Sequence, residues 1–335
     1  MRAWMLPAGT DGFDKLYQTD LPDVEPGPGE VLIRVHACSI NYRDFAVAAG
    51  KYMGGALKEP AVPLSDGAGQ VVAVGPGVNT FKEGDRVQGA FFMQWEDGAP
   101  SRGPALGDGI SPGMLAEYVV LPESGVVPMA QSLSYAQAAC LPCAGVTAWN
   151  ALYEGPRALL PGMRVLVLGS GGVSMLALQI ARAGGCEVIA TSSSDEKLER
   201  IKSLGASQVV NYKTTPDWGA HVGQKLHGVD KVVEVGGAGT AEQSMASLRG
   251  QGEVAMIGVL EPEGGPNPRG LMMTAGLMRG IFVGSGAMAR RLNAAIDVNG
   301  IKPLIGATFG FDEAKEAYAH AHGPDSFAKT VIELA

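Results

Sequence analysis

In the N-terminal part of the chain, apolar residues fall in short runs separated by turn chemistry. VLIRVHA (31–37), GQVVAVG (69–75), DRVQGAF (85–91) and AEYVVL (116–121) are punctuated by PGPGE, GPGV and EGD. Brief β-rich runs bounded by glycine and proline predict strands joined by tight turns, and hence a small β-barrel or sandwich. From about Ala136 the period changes. The runs RVLVLG (164–169), EVIATS (187–192), QVVNY (208–212), VDKVVEV (229–235), EVAMIGV (253–259) and IFVGS (281–285) alternate with helical stretches at Val173–Ala183, Asp195–Leu204 and near Thr240–Leu248. Repeated βαβ units predict a parallel sheet with helices on both faces. After Ser285 come two helical stretches, MARRLNAAIDVNG and DEAKEAYAHAH, and a closing strand AKTVIEL. These could extend the parallel sheet or return to the first one. The segment from Met93 to Gly113 shows no clear element, and at that length it reads as a lid or a flexible insertion.

At 335 residues and 46% hydrophobic content the chain can build two cores, because single cores stop growing near roughly 250–300 residues. The period change places one domain at 1–130, with the other at 131–286 and the tail from about 287 to 335 undecided. Twenty-six basic and 34 acidic residues give a net charge of −8, which argues against nucleic acid or acidic lipid as partner. No uninterrupted apolar run long enough to span a membrane is present, and MRAWMLPAGTDG lacks the layout of a secretory leader, so a cytoplasmic location is expected. Cys140 and Cys143 are spaced like half of a metal or redox pair. Within the apolar run AACLPCAG they read first as buried thiols.

RVLVLGSGGVSMLALQIARAGG sets Gly169, Gly171 and Gly172 between an apolar strand and an amphipathic helix that opens near Val173. Glycine there permits a tight turn and lets backbone N–H groups at a helix N-terminus approach a pyrophosphate, so a dinucleotide site is expected. The third glycine of the G-x-G-x-x-G pattern is replaced by Ser174. Strand 187–192 ends in Thr191, Ser192, Ser193 and Ser194 with no acid at its tip. A carboxylate there would serve the ribose hydroxyl of NAD, whereas hydroxyls with Lys197 nearby suit a 2′-phosphate, which favours NADPH. Lys197 could equally be a surface lysine, and Asp195 and Glu196 suit a first helical turn.

GSGGVSMLALQIARAGGCEVIATSSSDEKLERIKSLGAS, VVNY, DGAGQVVAVGPGV, EGDRV and LPCAGVTAW together resemble the medium-chain dehydrogenase/reductase superfamily, and within it the zinc-independent quinone oxidoreductase branch. The resemblance implies a GroES-like β-barrel catalytic domain, completed by the C-terminal tail, and an α/β Rossmann domain with a doubly wound parallel sheet. It also implies a homodimer or homotetramer. Zinc-dependent members take catalytic ligands at positions that match Asn41, Ser65 and Cys143 here, of which only Cys143 is a customary zinc ligand. They also hold a structural zinc through cysteines in a loop matching 93–113, which here has none. Both metal sites are therefore expected to be absent. By the same resemblance Thr147, Val259, Ile281 and Val283 flank the nicotinamide. Ser192, Ser193, Lys197 and Tyr212 hold the adenosine 2′-phosphate, Asn41 lies near the cofactor, and Lys329 matches a lysine beside it, although Ala328 replaces the usual glycine.

The reaction this implies is hydride transfer from NADPH to a small electron-poor acceptor, a quinone or a carbonyl-conjugated alkene. Without a metal, the developing oxygen charge must be met by hydrogen-bond donors, and Asn41, Tyr42 and Tyr52 in NYRDFAVAAGKY are the candidates, with Asp44 orienting the loop. Alcohol oxidation or aldehyde reduction is an alternative. So is a crystallin-like protein that binds NADPH without turnover.

Overall fold

The computed structural model describes residues 1–53, 55–101, 103–258 and 265–334. Val259, one of the expected nicotinamide neighbours, lies outside them. The chain forms two compact units, Met1–Val146 with Val283–Ala335, and Thr147–Phe282. These junctions differ from the 130/131 and 286/287 divisions that the hydrophobic period suggests. Residues 135–145 have helical sequence, yet they pack on strands of the first unit.

The first unit opens with a two-stranded ribbon, β1 (Arg2–Met5) and β2 (Tyr17–Asp20), which the sequence pattern does not announce. Next come β3 (Glu30–Ser39), helix α1 (Tyr42–Ala48), β4 (Asp66–Val74), β5 (Arg86–Gly89), β6 (Tyr118–Pro122), β7 (Val126–Pro128) and the short helix α2 (Tyr135–Ala138). β3 is central because its ten residues bury alternate side chains, Val31, Ile33 and Val35, beneath partners on both edges. A single π-type turn, Leu141–Gly145, leads into α3 (Val146–Tyr153). Segment 93–113 forms neither helix nor strand among its described residues. It is packed rather than projecting, since Trp95, Ala105 and Leu106 are buried and the Leu106 N–H donates to the Phe91 carbonyl at 3.0 Å.

The second unit runs β8 (Arg164–Leu168), α4 (Gly172–Ala183), β9 (Glu187–Ser192), α5 (Asp195–Ser203), β10 (Gln208–Asn211), the helical turn α6 (Trp218–Ala220), β11 (Val229–Glu234), α7 (Ala238–Ala246), β12 (Leu248–Met256), α8 (Arg269–Thr274) and β13 (Leu277–Gly280). All pairings in its six-stranded sheet are parallel, in the order β10-β9-β8-β11-β12-β13. This is the doubly wound Rossmann arrangement. Its order reverses between β8 and β11, and ligands of such sheets bind beyond the strand carboxyl ends at that switch point.

One expected strand is misplaced. The last strand of this sheet is Leu277–Gly280, and Ile281–Ser285 forms no strand. LMRG reads as polar because of Arg279, but that guanidinium is engaged by Glu253 at 2.9 Å and by Asn150 at 3.0 Å. IFVGS looks β-like, yet Val283 has a left-handed φ of +51° and Ser285 caps the next helix. That helix, α9 (Gly286–Asn299), is followed by β14 (Ile305–Gly310), α10 (Ala314–His322) and β15 (Lys329–Glu333). β15 lies parallel to β14 and antiparallel to β3, so the tail joins the first sheet.

Candidate active site

In the second unit, the turn after β8 combines two glycines with different duties. Gly169 has φ +72°, a conformation that L side chains avoid. Gly171 has φ −76° and ψ 176°, which any residue adopts, and a Cβ built there would meet no atom within 4 Å. Protein packing therefore gives no reason for glycine at 171. Gly172 and Val173 open α4, whose first N–H groups lack intrahelical acceptors. Ser174, in place of the third glycine, donates its hydroxyl to the Leu168 carbonyl at 2.6 Å and ties helix to strand.

The neighbouring strand ends meet at one corner. β9 and β10 pair with Asn211 opposite Ser192, and the Tyr212 N–H donates to the Ser192 carbonyl at 3.1 Å. Ser192 is buried, Ser193 and Lys197 are half-buried, and Tyr212 is exposed. Ser194 caps α5 by accepting from the Lys197 N–H. The Asn211 amide donates to the Asp195 carboxylate at 2.6 Å, a pairing the sequence did not indicate. Thr147, in α3, and Ile281 are buried in this unit.

Glu234, at the end of β11, carries a role that sequence reasoning missed. Fully buried, it accepts from the N–H groups of Gly236 (2.7 Å) and Gly237 (3.1 Å) and from the hydroxyls of Thr240 (2.6 Å) and Ser244. It fixes the turn that borders the switch point opposite the Gly169 turn. The signal was the acid before two glycines in VEVGG.

In the first unit, Asn41 is the residue preceding α1, and its N–H donates to Asp44 at 2.8 Å. The buried Lys329 ammonium donates to the Ile40 carbonyl at 2.7 Å and to Asn41 Oδ1 at 2.5 Å, and lies 3.9 Å from Asp66. Asp66 also accepts from the Ser65 hydroxyl at 2.8 Å and the Cys143 N–H at 3.1 Å. Arg43, which no sequence motif singles out, is buried. Its Nη1 donates to Asp44, to the Leu106 carbonyl at 2.8 Å and to the Gly107 carbonyl at 3.3 Å. The Tyr52 and Phe91 ring centres lie 4.6 and 5.3 Å from its guanidinium carbon. Asn41 Nδ2 is a buried donor without an acceptor among the described residues, and Arg43 Nε and Nη2 meet none apart from the Tyr52 hydroxyl. Burial raises the Tyr52 hydroxyl above its ordinary range against the pull of Arg43. Tyr42 points its side chain to solvent, 55% exposed. The structure thus brings Asn41 and Lys329 into contact and sets Tyr52 on Arg43, while it leaves Tyr42 outside.

The residues matching zinc ligands do not fit a divalent cation. Asn41 Oδ1 already faces an ammonium group, and the Ser65 hydroxyl is turned to Asp66. Burial, reinforced by Asp66, raises the Cys143 thiol above its ordinary range. Burial likewise pushes the Cys140 thiol up to about 12. Among the described residues, no three His, Cys, Asp or Glu side chains are grouped to hold a metal ion.

The N-terminal region matches the alcohol dehydrogenase GroES-like domain over residues 27–131, and residues 172–298 match the zinc-binding dehydrogenase model. The chain is therefore an oxidoreductase built from a GroES-like catalytic domain and a Rossmann domain. It belongs to the medium-chain dehydrogenase/reductase superfamily. It is 42% identical to a zinc-type alcohol dehydrogenase-like protein of Schizosaccharomyces pombe, with 96% of each chain covered. It is 30% identical to the quinone oxidoreductase of Mus musculus, over 95% of this chain and 93% of that one. Among solved structures, a putative alcohol dehydrogenase from Sinorhizobium meliloti superposes with a TM-score of 0.87 at 38% identity, with 99% of each chain covered.

Proposed function

We propose that the protein is a zinc-independent NADPH-dependent reductase acting on quinones or on alkenes conjugated to a carbonyl. The observation that carries this reading is a set of buried donors, with Asn41 Nδ2 lacking any acceptor among the described residues and Arg43 Nε and Nη2 meeting only the Tyr52 hydroxyl. A buried donor left unsatisfied costs about 1–3 kcal/mol. Donors held away from water are worth most when they face an oxygen that gains negative charge. NADPH, when bound, would supply the hydride and become NADP+, and the acceptor would take up that hydride and one solvent proton. Gly169, Gly171, Gly172 and Val173 would hold the pyrophosphate. Ser192, Ser193, Lys197 and Tyr212 would hold the 2′-phosphate.

The quinone oxidoreductase among its relatives supports the acceptor class. The donor set at Asn41, Ser65 and Cys143 supports catalysis without zinc. Alcohol oxidation near neutral pH needs help in forming an alkoxide, which metal normally provides. The decisive experiment follows NADPH oxidation with 1,4-naphthoquinone, 2-cyclohexenone and cinnamaldehyde, alongside NADP+ reduction with ethanol and benzyl alcohol. Reduction of the conjugated acceptors should dominate, and faster alcohol oxidation than any reduction would refute the assignment.

In solution we expect a cytoplasmic homodimer or homotetramer. Among the described residues β13 is an edge strand with one side unpaired in its sheet, and Met272 and Met273 on the preceding helix are 70% and 73% exposed. An open apolar edge of this kind is normally covered. Light scattering that gives a monomer at micromolar concentration would remove this part.

A further inference from the structure

Asn41 and Lys329 form a unit whose geometry assigns each a separate task. An ammonium group has only donors, so the Asn41 atom facing Lys329 must be the amide oxygen, and the Nδ2 hydrogens must face the other way. Lys329 is 2% exposed. A buried lysine with a carboxylate close by would ordinarily sit directly on it. Here Asp66 stays 3.9 Å from Nζ, balancing the charge at a distance, while the close contacts are the Asn41 oxygen and the Ile40 carbonyl. Asp66 is held back by the Ser65 hydroxyl and the Cys143 N–H. The cation is thus directed onto the amide. Charge drawn toward Oδ1 makes the Nδ2–H bonds better donors, the cooperative strengthening of linked hydrogen bonds. Tyr42 is exposed and the Tyr52 ring is applied to Arg43, which leaves Asn41 as the donor of the three candidates with a built support.

Resting on the reductase reading above, we propose that Asn41 Nδ2–H donates to the acceptor oxygen as it gains charge. Lys329, balanced by Asp66, is the positioning residue that orients and polarises that amide. Lys329 then acts through Asn41 rather than on the cofactor, contrary to what the family resemblance implies.

A double-mutant cycle tests this. Asn41→Ala should lower kcat by roughly 100-fold, the scale of losing one oxyanion donor. Lys329→Met should lower it by about 10-fold or more, because the amide persists but is no longer aimed. Asn41→Asp, which keeps an oxygen for Lys329 and lacks the donor, should fall with Asn41→Ala. In the double variant the losses should not multiply, and kcat should stay within about twofold of Asn41→Ala alone. NADPH dissociation constants, read by fluorescence, should move less than about threefold in every variant. Multiplying losses, or NADPH affinity falling as far as kcat in Lys329→Met, would overturn the proposal.

Binding of 4-nitrophenolate, followed by its visible absorbance, repeats the cycle without turnover. If the parent reduces no conjugated acceptor but the phenolate cycle is non-additive, the reductase reading fails and the Asn41–Lys329 assignment stands. If turnover is normal and the phenolate cycle is additive, the assignment alone fails.

Discussion

The turn after β8 offers a test in which stability and binding should separate. Alanine at 169 must adopt φ +72°, a left-handed conformation that costs an L-residue roughly 1–2 kcal/mol. Alanine at 171 keeps φ −76° and ψ 176°, and its methyl group meets no protein atom within 4 Å. Its effect on folding is neutral or stabilising by up to about 1 kcal/mol, because the unfolded chain loses freedom. For a chain of 335 residues, 1 kcal/mol shifts Tm by roughly 1–2 °C. Gly169→Ala should therefore melt about 1–4 °C lower without cofactor, while Gly171→Ala should melt at or slightly above the parent. For the dinucleotide the order reverses. On the proposed function a methyl group at 171 would take space that the pyrophosphate needs, and overpacking of about 1–3 kcal/mol corresponds to a roughly 5- to 150-fold loss of NADPH affinity. Tm by circular dichroism and NADPH titration by quenching of the four tryptophans supply the two readings. If Gly171→Ala melts as low as Gly169→Ala, or binds NADPH as the parent does, the space at Gly171 is not kept for a ligand.

Lys197→Ala should weaken NADPH by about 10- to 100-fold and leave NADH nearly unchanged, since a charge-assisted hydrogen bond to the 2′-phosphate contributes roughly 1.5–3 kcal/mol. Dissociation constants at one ionic strength check this, and equal weakening of both cofactors would make Lys197 an ordinary surface lysine. Lys231 is buried with Glu253 at 3.3 Å and donates to the carbonyls of Ala151, Leu152 and Arg157, and burial pulls its ammonium down to about 8 from 10.5. A base whose pKa is lowered on folding holds fewer protons in the folded state than in the unfolded one between those values. Its contribution to stability is least below pH 8 and rises toward pH 10.5. The Tm of the parent relative to Lys231→Met should rise across that window, and a flat or falling difference would show that Glu253 and the carbonyls keep the lysine fully charged. Elemental analysis of the purified protein should find no stoichiometric zinc, and chelator treatment should leave activity intact, whereas about one zinc per chain would contradict the donor chemistry at Asn41, Ser65 and Cys143.

The sequence by itself determined whatever depends on neighbours along the chain. The βαβ period is written in local alternation, and five of the six strands of the parallel sheet were legible from it. So was the Gly169–Val173 turn, because a strand, two spaced glycines and a helix are contiguous. That Asn41 and Ser65 are not customary metal ligands concerns only residue type, but their match to ligand positions came from the family resemblance and not from their neighbours along the chain. Contacts distant in sequence were not legible. LMRG concealed a strand because Arg279 looks exposed until Glu253 and Asn150 are placed around it. The tail was ambiguous because β15 has the same apolar pattern whichever sheet it joins, and its pairing with β3 spans almost the whole chain. Lys329 could be matched to a cofactor neighbour, but its bond to Asn41 joins residues 288 positions apart. Whether a buried lysine, arginine or asparagine has partners depends on three-dimensional packing, and only the tertiary structure decided that Asn41 Nδ2 has no acceptor among the described residues.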